Sequence, residues 1–313
     1  MTHLLVTRRL ARAALAAGLA AAPLVLPLAA RADPATYESP EAAVAAVIEA
    51  LDARDRDALI AVFGPENADV ALTGDPTQDR AVWSDFLADY KAFHVIEAEG
   101  DRAVLYIGRD RWPFPAKIVP AGGAWAFDAA GAREEVRLRR IGLNELDVID
   151  LMRGYVRAQA AYRAENPEGD GPPSFAAGIL STPGTRDGLY WPPEPGAPES
   201  PVGDFMARAA ADGYSVDGAD ATPEPYLGYY FRVLTKQGPG APGGALDYKV
   251  GGRMLAGHAL LAFPADYGQT GVMSFMVGEA GVVFEADLGD DTLDLAGAID
   301  SFDPGAGWTP VTD

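Results

Sequence analysis

The sequence predicts an α+β protein of two domains, and three features lead there. Apolar residues recur at helical spacing over residues 39–91. Runs of β-rich residues split by glycine turns follow at 93–127. Helical spacing, then further strands, return over 133–286. Helices followed by a meander of strands is the α+β order, whereas a parallel sheet needs strands and helices in alternation.

Each element has a local reason. Ser39 caps the first helix, Pro40 suits its first position and Glu41 favours its positive end. Val44, Val47, Ile48 and Leu51 then share a face. A short second helix starts near Asp55, turns Leu59, Val62 and Phe63 inward and stops at Gly64-Pro65. A third, at 80–91, presents Trp83, Phe86, Leu87 and Tyr90. Residues 93–98 and 102–108 read as a hairpin turning at Gly100-Asp101, and 117–119 with 125–127 as a second turning at Gly122-Gly123.

A charged helical stretch at 133–140 precedes a helix capped at Asn144, with Asp147 in its third position. That helix carries Leu146, Ile149, Met152, Val156 and Ala160 and ends near Asn166-Pro167. Residues 169–225 form a long loop rich in glycine and proline, interrupted by a short helix at 201–211. Tyr190 and Trp191 within it argue against disorder. Strands return at 229–235, 257–263, 271–277 and 282–286, the last two joined through Glu279-Ala280-Gly281. The expected domains are 33–138, a helix-plus-antiparallel-meander unit, and 139–313, a helix on an antiparallel sheet with the Gly/Pro-rich insertion.

Residues 1–32 read as a signal peptide. Arg8, Arg9 and Arg12 precede an apolar run at 13–30, broken by Pro23 and Pro27, and Ala30-Arg31-Ala32 fits signal peptidase, with cleavage before Asp33. Leu10 then Ala11 after the arginine pair favours general secretion over the twin-arginine route. The expected destination is periplasmic or secreted, with no membrane span after cleavage. Removing four arginines takes the net charge from −20 to −24, which repels nucleic acid and anionic lipid. The chain has no cysteine, so disulfides, thiolate catalysis, cysteine-bound metal and attachment of lipid to cysteine are excluded.

Catalytic patterns are scarce. After the signal the histidines are His94 and His258, each in a β-rich apolar stretch that favours a core or edge role over a general base. Ser274 lies mid-strand and lacks the G-x-S-x-G elbow. Gly243-Gly244 fits a tight turn and lacks the lysine of a phosphate loop. Asp287, Asp290, Asp291 and Asp294 lack the order of a calcium loop and read as a solvated acidic turn, with Asp290 or Asp291 capping a helix. No cofactor and no metal is expected. Glu134 and Glu135 near Arg133, Arg137, Arg139 and Arg140 read as a salt-bridged helix surface; the alternative is a buried Arg140–Glu145 pair at the domain junction. Two aromatic–proline segments suit a contact surface: Arg109, Arg111, Trp112 and Phe114 in one, Asp187, Tyr190 and Trp191 in the other. The competing reading is that they pin loops to the sheet.

Several blocks bear a resemblance to a known family. They include Gly74-Asp75-Pro76, Trp112-Pro113-Phe114-Pro115, Trp125-Ala126-Phe127-Asp128 and the run from Arg139 to Leu146. Ala158-Gln159 with Tyr162, the run from Asp187 to Pro192, Ser200-Pro201 with Gly203, Gly228-Tyr229-Tyr230-Phe231, Gly243-Gly244-Ala245, and Tyr267-Gly268 with Gly271-Val272-Met273 complete the set. The chain resembles the bacterial family known as domain of unknown function 2950 over almost all of 40–310, which implies export and brings no assigned activity or catalytic residue. The first domain is similar in pattern to NTF2-like and cystatin-like domains. The second is similar to the globular part of type IV pilin-like proteins, although a charged helix stands where a pilin has an apolar stalk. Three roles follow in order: a non-catalytic binding protein for a protein or small-molecule partner, an extracytoplasmic enzyme with a carboxylate–arginine or His258 site, and a structural part of a pilus-like assembly.

Overall fold

The computed structural model describes residues 33–312, except 73–74, 170, 197, 211–213, 217–218 and 222. The expected signal segment and Gly74 lie outside the described residues. In helix α1 (Pro40–Ala53) the Ser39 hydroxyl accepts from the Ala42 amide at 3.2 Å, and Val44, Val47 and Leu51 are buried. Helix α2 (Arg56–Phe63) is capped by Asp55 and stops at Gly64, whose φ of +86° favours glycine. After a 3-10 turn (Pro65–Val70) comes α3 (Pro76–Ala92). It begins earlier than apolar spacing indicates, because Asp75 accepts from the Thr77 amide at 2.7 Å and Pro76 takes the first position.

Strands β1 (His94–Glu99), β2 (Arg102–Ile107), β3 (Trp112–Pro113), β4 (Ile118–Ala121) and β5 (Ala124–Phe127) form an antiparallel sheet. Both hairpins turn where expected, with Glu99 paired to Arg102 and Ala121 to Ala124. Gly122 and Gly123 have φ of +60° and +91°, the pair of positive values that a tight hairpin turn needs. The aromatic–proline segment 109–115 supplies β3, where Trp112 pairs Ile107 and Pro113 pairs Tyr106.

The two helical stretches expected around residue 144 are one helix, α4 (Ala129–Glu165), 37 residues long. Asp128 caps it through the Gly131 amide at 2.9 Å, and Asn166 ends it with a φ of +46° just before Pro167. Asn144 is therefore no cap. Its side chain is taken by a tertiary acceptor, the Thr270 carbonyl, at 2.8 Å. The expected border at 138–139 falls inside this helix.

Residues 169–225 hold a parallel pair, β6 (Gly178–Leu180) and β7 (Gly188–Tyr190), then α5 (Asp204–Arg208) and the hairpin β8 (Tyr214–Val216) and β9 (Ala219–Ala221). Beyond β10 (Tyr229–Leu234) come two small ladders, β11 (Lys236–Gln237) with β12 (Leu246–Asp247) and β13 (Lys249–Val250) with β14 (Arg253–Met254). Strands β15 (Ala259–Pro264), β16 (Met273–Gly278), β17 (Val283–Asp287), helix α6 (Thr292–Ala298) and β18 (Thr309–Pro310) close the chain. The second sheet has the antiparallel order β10-β15-β16-β17-β18, so the fold is α+β.

Two apolar cores flank α4. Val47, Leu51, Leu59, Phe63, Ile107 and Phe127 meet its Ala129 and Ala132 in the first. Phe231, Leu261, Phe275 and Met276 meet its Val148, Met152, Tyr155 and Tyr162 in the second. Polar side chains fix the register of the second contact. Glu145 accepts from the Val272 and Met273 amides at 2.9 and 3.0 Å, and Tyr155 donates to the Ala259 carbonyl at 3.0 Å. Gln159, fully buried, donates to the Ala176 carbonyl at 3.1 Å and to the Tyr155 hydroxyl at 3.0 Å, and accepts from the Ala176 amide at 2.9 Å. Gly271 has no room for a Cβ, which would collide with the Tyr229 hydroxyl as that group donates to the Met273 carbonyl at 2.9 Å.

Replacing Gln159 with leucine strands the buried Ala176 amide and carbonyl. The expected loss is about 2–4 kcal/mol of folding stability, measured as a drop in the urea midpoint with little change in slope.

Candidate functional site

Three of the predicted contact residues meet at one cleft. Where α4 ends, Pro167 and Glu168 form one wall. The connection 181–187 between β6 and β7, with residues 190–194, forms the other, enclosing about 760 Å³ open to solvent. The connection is held by its own polar groups. Asp187 accepts from the Thr182 amide at 2.7 Å, the Thr182 hydroxyl at 2.8 Å and the Thr185 hydroxyl at 2.7 Å. Burial pushes the Asp187 carboxyl up, but the bonds from Thr185 and Thr182 outweigh it and hold it below the usual carboxylate range. Asp187 thus shapes the wall and leaves little capacity for a ligand. Gly188 follows because a Cβ there would run into the Leu180 carbonyl.

Trp191 is 3% exposed and Tyr190 9%, so they form floor and packing and do not protrude as a contact surface. The Trp191 indole donates to the Pro198 carbonyl at 3.0 Å and lies 6.5 Å from the Tyr162 ring. The Arg186 guanidinium sits 5.6 Å over the Trp191 ring and 3.4 Å from Glu194. Tyr162 donates to the Arg186 carbonyl at 2.5 Å and lies 3.3 Å from Glu168. Burial pushes its phenol up, and the Glu168 charge adds to that, so Tyr162 stays a protonated donor. Glu168 also accepts from Ser174 at 2.9 Å and lies 3.6 Å from Arg253. The lining carries Glu168, Asp187 and Glu194 against Arg186, an excess of negative charge.

The family described as "Protein of unknown function (DUF2950)" matches residues 34–311. The chain belongs to this family. Neither a curated protein nor a solved structure matches the chain. The family blocks quoted from the sequence take on physical meaning in the fold. Asp187 to Pro192 builds the cleft, Tyr162 ties α4 to it, Gln159 holds the backbone of Ala176 ahead of β6, and Tyr229 packs against Gly271.

The other aromatic segment lies elsewhere. The Arg139 guanidinium is 4.2 Å over the Trp112 ring, whereas Trp191 packs by Tyr162. At about 1.5 Å of rise per residue, those two positions on α4 are roughly 35 Å apart. The segments therefore do not form one surface. Arg111, with a φ of +53°, pairs Glu97 at 2.7 Å and lies 5.4 Å over Tyr106, while Arg109 is exposed. Phe114 is partly buried and packs against the first core, 5.4 Å from Phe86 and 6.1 Å from Phe127. The Arg140–Glu145 pair does not form. Arg140 is exposed, and the Glu145 carboxylate is turned to the backbone of β16. Arg137 with Glu134, and Arg139 with Glu135, do form the expected surface pairs.

His94 stacks on Tyr90 at 3.9 Å. His258, 1% exposed, lies between Tyr155 and Phe175 at 5.2 and 4.6 Å, away from the cleft. Among the described residues no group of three or more histidines or carboxylates is placed to hold a metal, and no helix is long and apolar enough to cross a membrane.

Glu168, Thr182, Arg186 and Glu194 line the cleft and Tyr162 bonds to its wall, although none of the five carries a catalytic or ligand-binding motif in the sequence. The spacing Thr182-Pro183-Gly184-Thr185-x-Asp187 is turn chemistry that marks a built wall, and it was the available signal.

Burial pushes His258 down from the usual imidazole value of 6.5 to about 4, and Arg163 adds to that. Between those values the unfolded chain takes up a proton that the native core refuses, so stability falls on acidification and is fully present above pH 6.5. His258→Phe should flatten that part of the profile of urea midpoint against pH.

Proposed function

We propose that the protein is an exported, non-catalytic binding protein whose cleft at the end of α4 takes a small polar ligand, neutral or cationic. The observation that carries this reading is the open cleft of about 760 Å³ with an excess of carboxylate on its lining. The Thr182 and Thr185 hydroxyls are engaged with the Asp187 carboxylate and the Ser181 hydroxyl with the Gly188 backbone, which favours a preformed binding wall over turnover. Export rests on the signal pattern at 1–32, and a periplasmic or secreted destination follows from it. Helices leading into a meander support an NTF2-like or cystatin-like reading of the first domain. The long helix on a five-stranded antiparallel sheet supports a pilin-like reading of the second.

The purified protein should be titrated with polyols, oligosaccharides, oligoamines and lysine-rich peptides. A ligand of the cleft is expected to change Trp191 emission and raise the melting temperature with concentration. For a cationic ligand, Glu194→Gln should weaken binding by about fivefold or more. Turnover of an ester, glycoside, peptide or phosphate substrate that Glu168→Gln abolishes would overturn the reading. Separately, the protein recovered from the exporting cell is expected to begin at Asp33; an N-terminal sequence that still contains residues before Ala30 would sink the export reading.

A further inference from the structure

The outward face of α4 carries an exposed apolar stripe. At about 100° per residue, Arg139, Leu143, Leu146 and Asp150 fall within about 60° of one another. Val148, Met152, Tyr155 and Gln159, all buried in the second domain, lie on the opposite side. Leu143 is 63% exposed and Leu146 64%. Trp112, 49% exposed, extends the patch because its ring lies against the Arg139 guanidinium. Large apolar residues grouped on a solvent face mark an interaction surface more often than singly scattered ones do.

The charges beside the two leucines select the partner. On the N-terminal side Glu135 and Arg139 pair at 2.7 Å; on the C-terminal side Asp150 and Arg153 pair at 3.4 Å, with the exposed Arg157 one turn on. Suppose a second α4 lies antiparallel on this face, with the two-fold axis between Asn144 and Glu145. Leu143 then meets Leu146 of the second copy, and Arg139 meets Asp150. Glu135 meets Gly154, between Arg153 and Arg157. Arg139 with Asp150, and Glu135 with Arg153, then join opposite charges across the contact. A parallel arrangement sets Arg139 on Arg139 and Asp150 on Asp150, which repel. Gly142 fits the same picture. A glycine inside a helix weakens it, and a Cβ there would touch nothing within 4 Å in this chain, so the space is left for a closely approaching helix.

We propose that the protein forms an antiparallel two-fold dimer through this face of α4. The surface is self-complementary, as an isologous interface requires. Because the chain is strongly acidic, the contact must act against net repulsion, so salt that screens beyond about 8 Å favours it.

Sedimentation equilibrium of the purified protein at about 0.15 M salt reads the proposal directly. The expected result is a reversible dimer that Leu143→Asp with Leu146→Asp weakens by at least about tenfold, since both side chains point to solvent and sit at the centre of the contact. An unchanged circular dichroism spectrum and urea midpoint establish that this variant is folded. The absence of cysteine makes orientation testable with a short bismaleimide linker. A mixture of Arg139→Cys and Asp150→Cys proteins should cross-link into dimers, and Asp150→Cys alone should not. A monomer at about 100 μM overturns the proposal, because a standard-size interface holds at micromolar concentration or tighter. A dimer that the double aspartate variant leaves intact, or efficient cross-linking of Asp150→Cys alone, overturns it as well.

Discussion

Gln159 is the amide on which the order of the second core depends. It sits fully buried in the middle of an apolar core, where an unsatisfied amide is costly, and its oxygen and nitrogen both find the backbone of Ala176. That two-way exchange makes an irregular strand of the Gly/Pro-rich segment behave as if it were paired. It places Phe175 against His258 and sets the start of β6. The cleft wall is built on β6 and β7, so the geometry of the site depends on a side chain that never reaches it.

The same helix face repeats the device. Glu145 ties α4 to the start of β16, Tyr155 to β15 and Tyr162 to the cleft wall. Such polar contacts contribute modestly each, but they remove the freedom that apolar packing leaves, because a helix can rotate or slide over a sheet at small loss of buried area. Residues on the opposite face of α4 carry the charges and the exposed leucines. One helix thus has a face for folding and a face for association.

Local rules carried most of the architecture. The caps at Ser39 and Asp55, the glycine turns at 100 and 122–123, and the stop at Asn166-Pro167 were legible because each depends on neighbours in sequence. Misreading came where a distant partner overrode a local preference. Asn144 looks like a cap until Thr270 is there to take its amide, and Glu145 looks like a partner for Arg140 until β16 presents two free amides. The candidate site was half legible. Asp187, Tyr190 and Trp191 were marked by their aromatic and proline content, but composition cannot tell a floor from a protruding surface. Nor can it measure the separation between Trp112 and Trp191, which only the continuity of α4 sets.

That continuity has a mechanical side. A helix of 37 residues is a strut about 55 Å long. The helix runs unbroken where the first core hands over to the second, so a bend there means breaking helical hydrogen bonds. A molecule held at one end of the strut is kept at a set distance from anything held at the other. Within the fold, α4 is the spacer that sets the separation of the two cores.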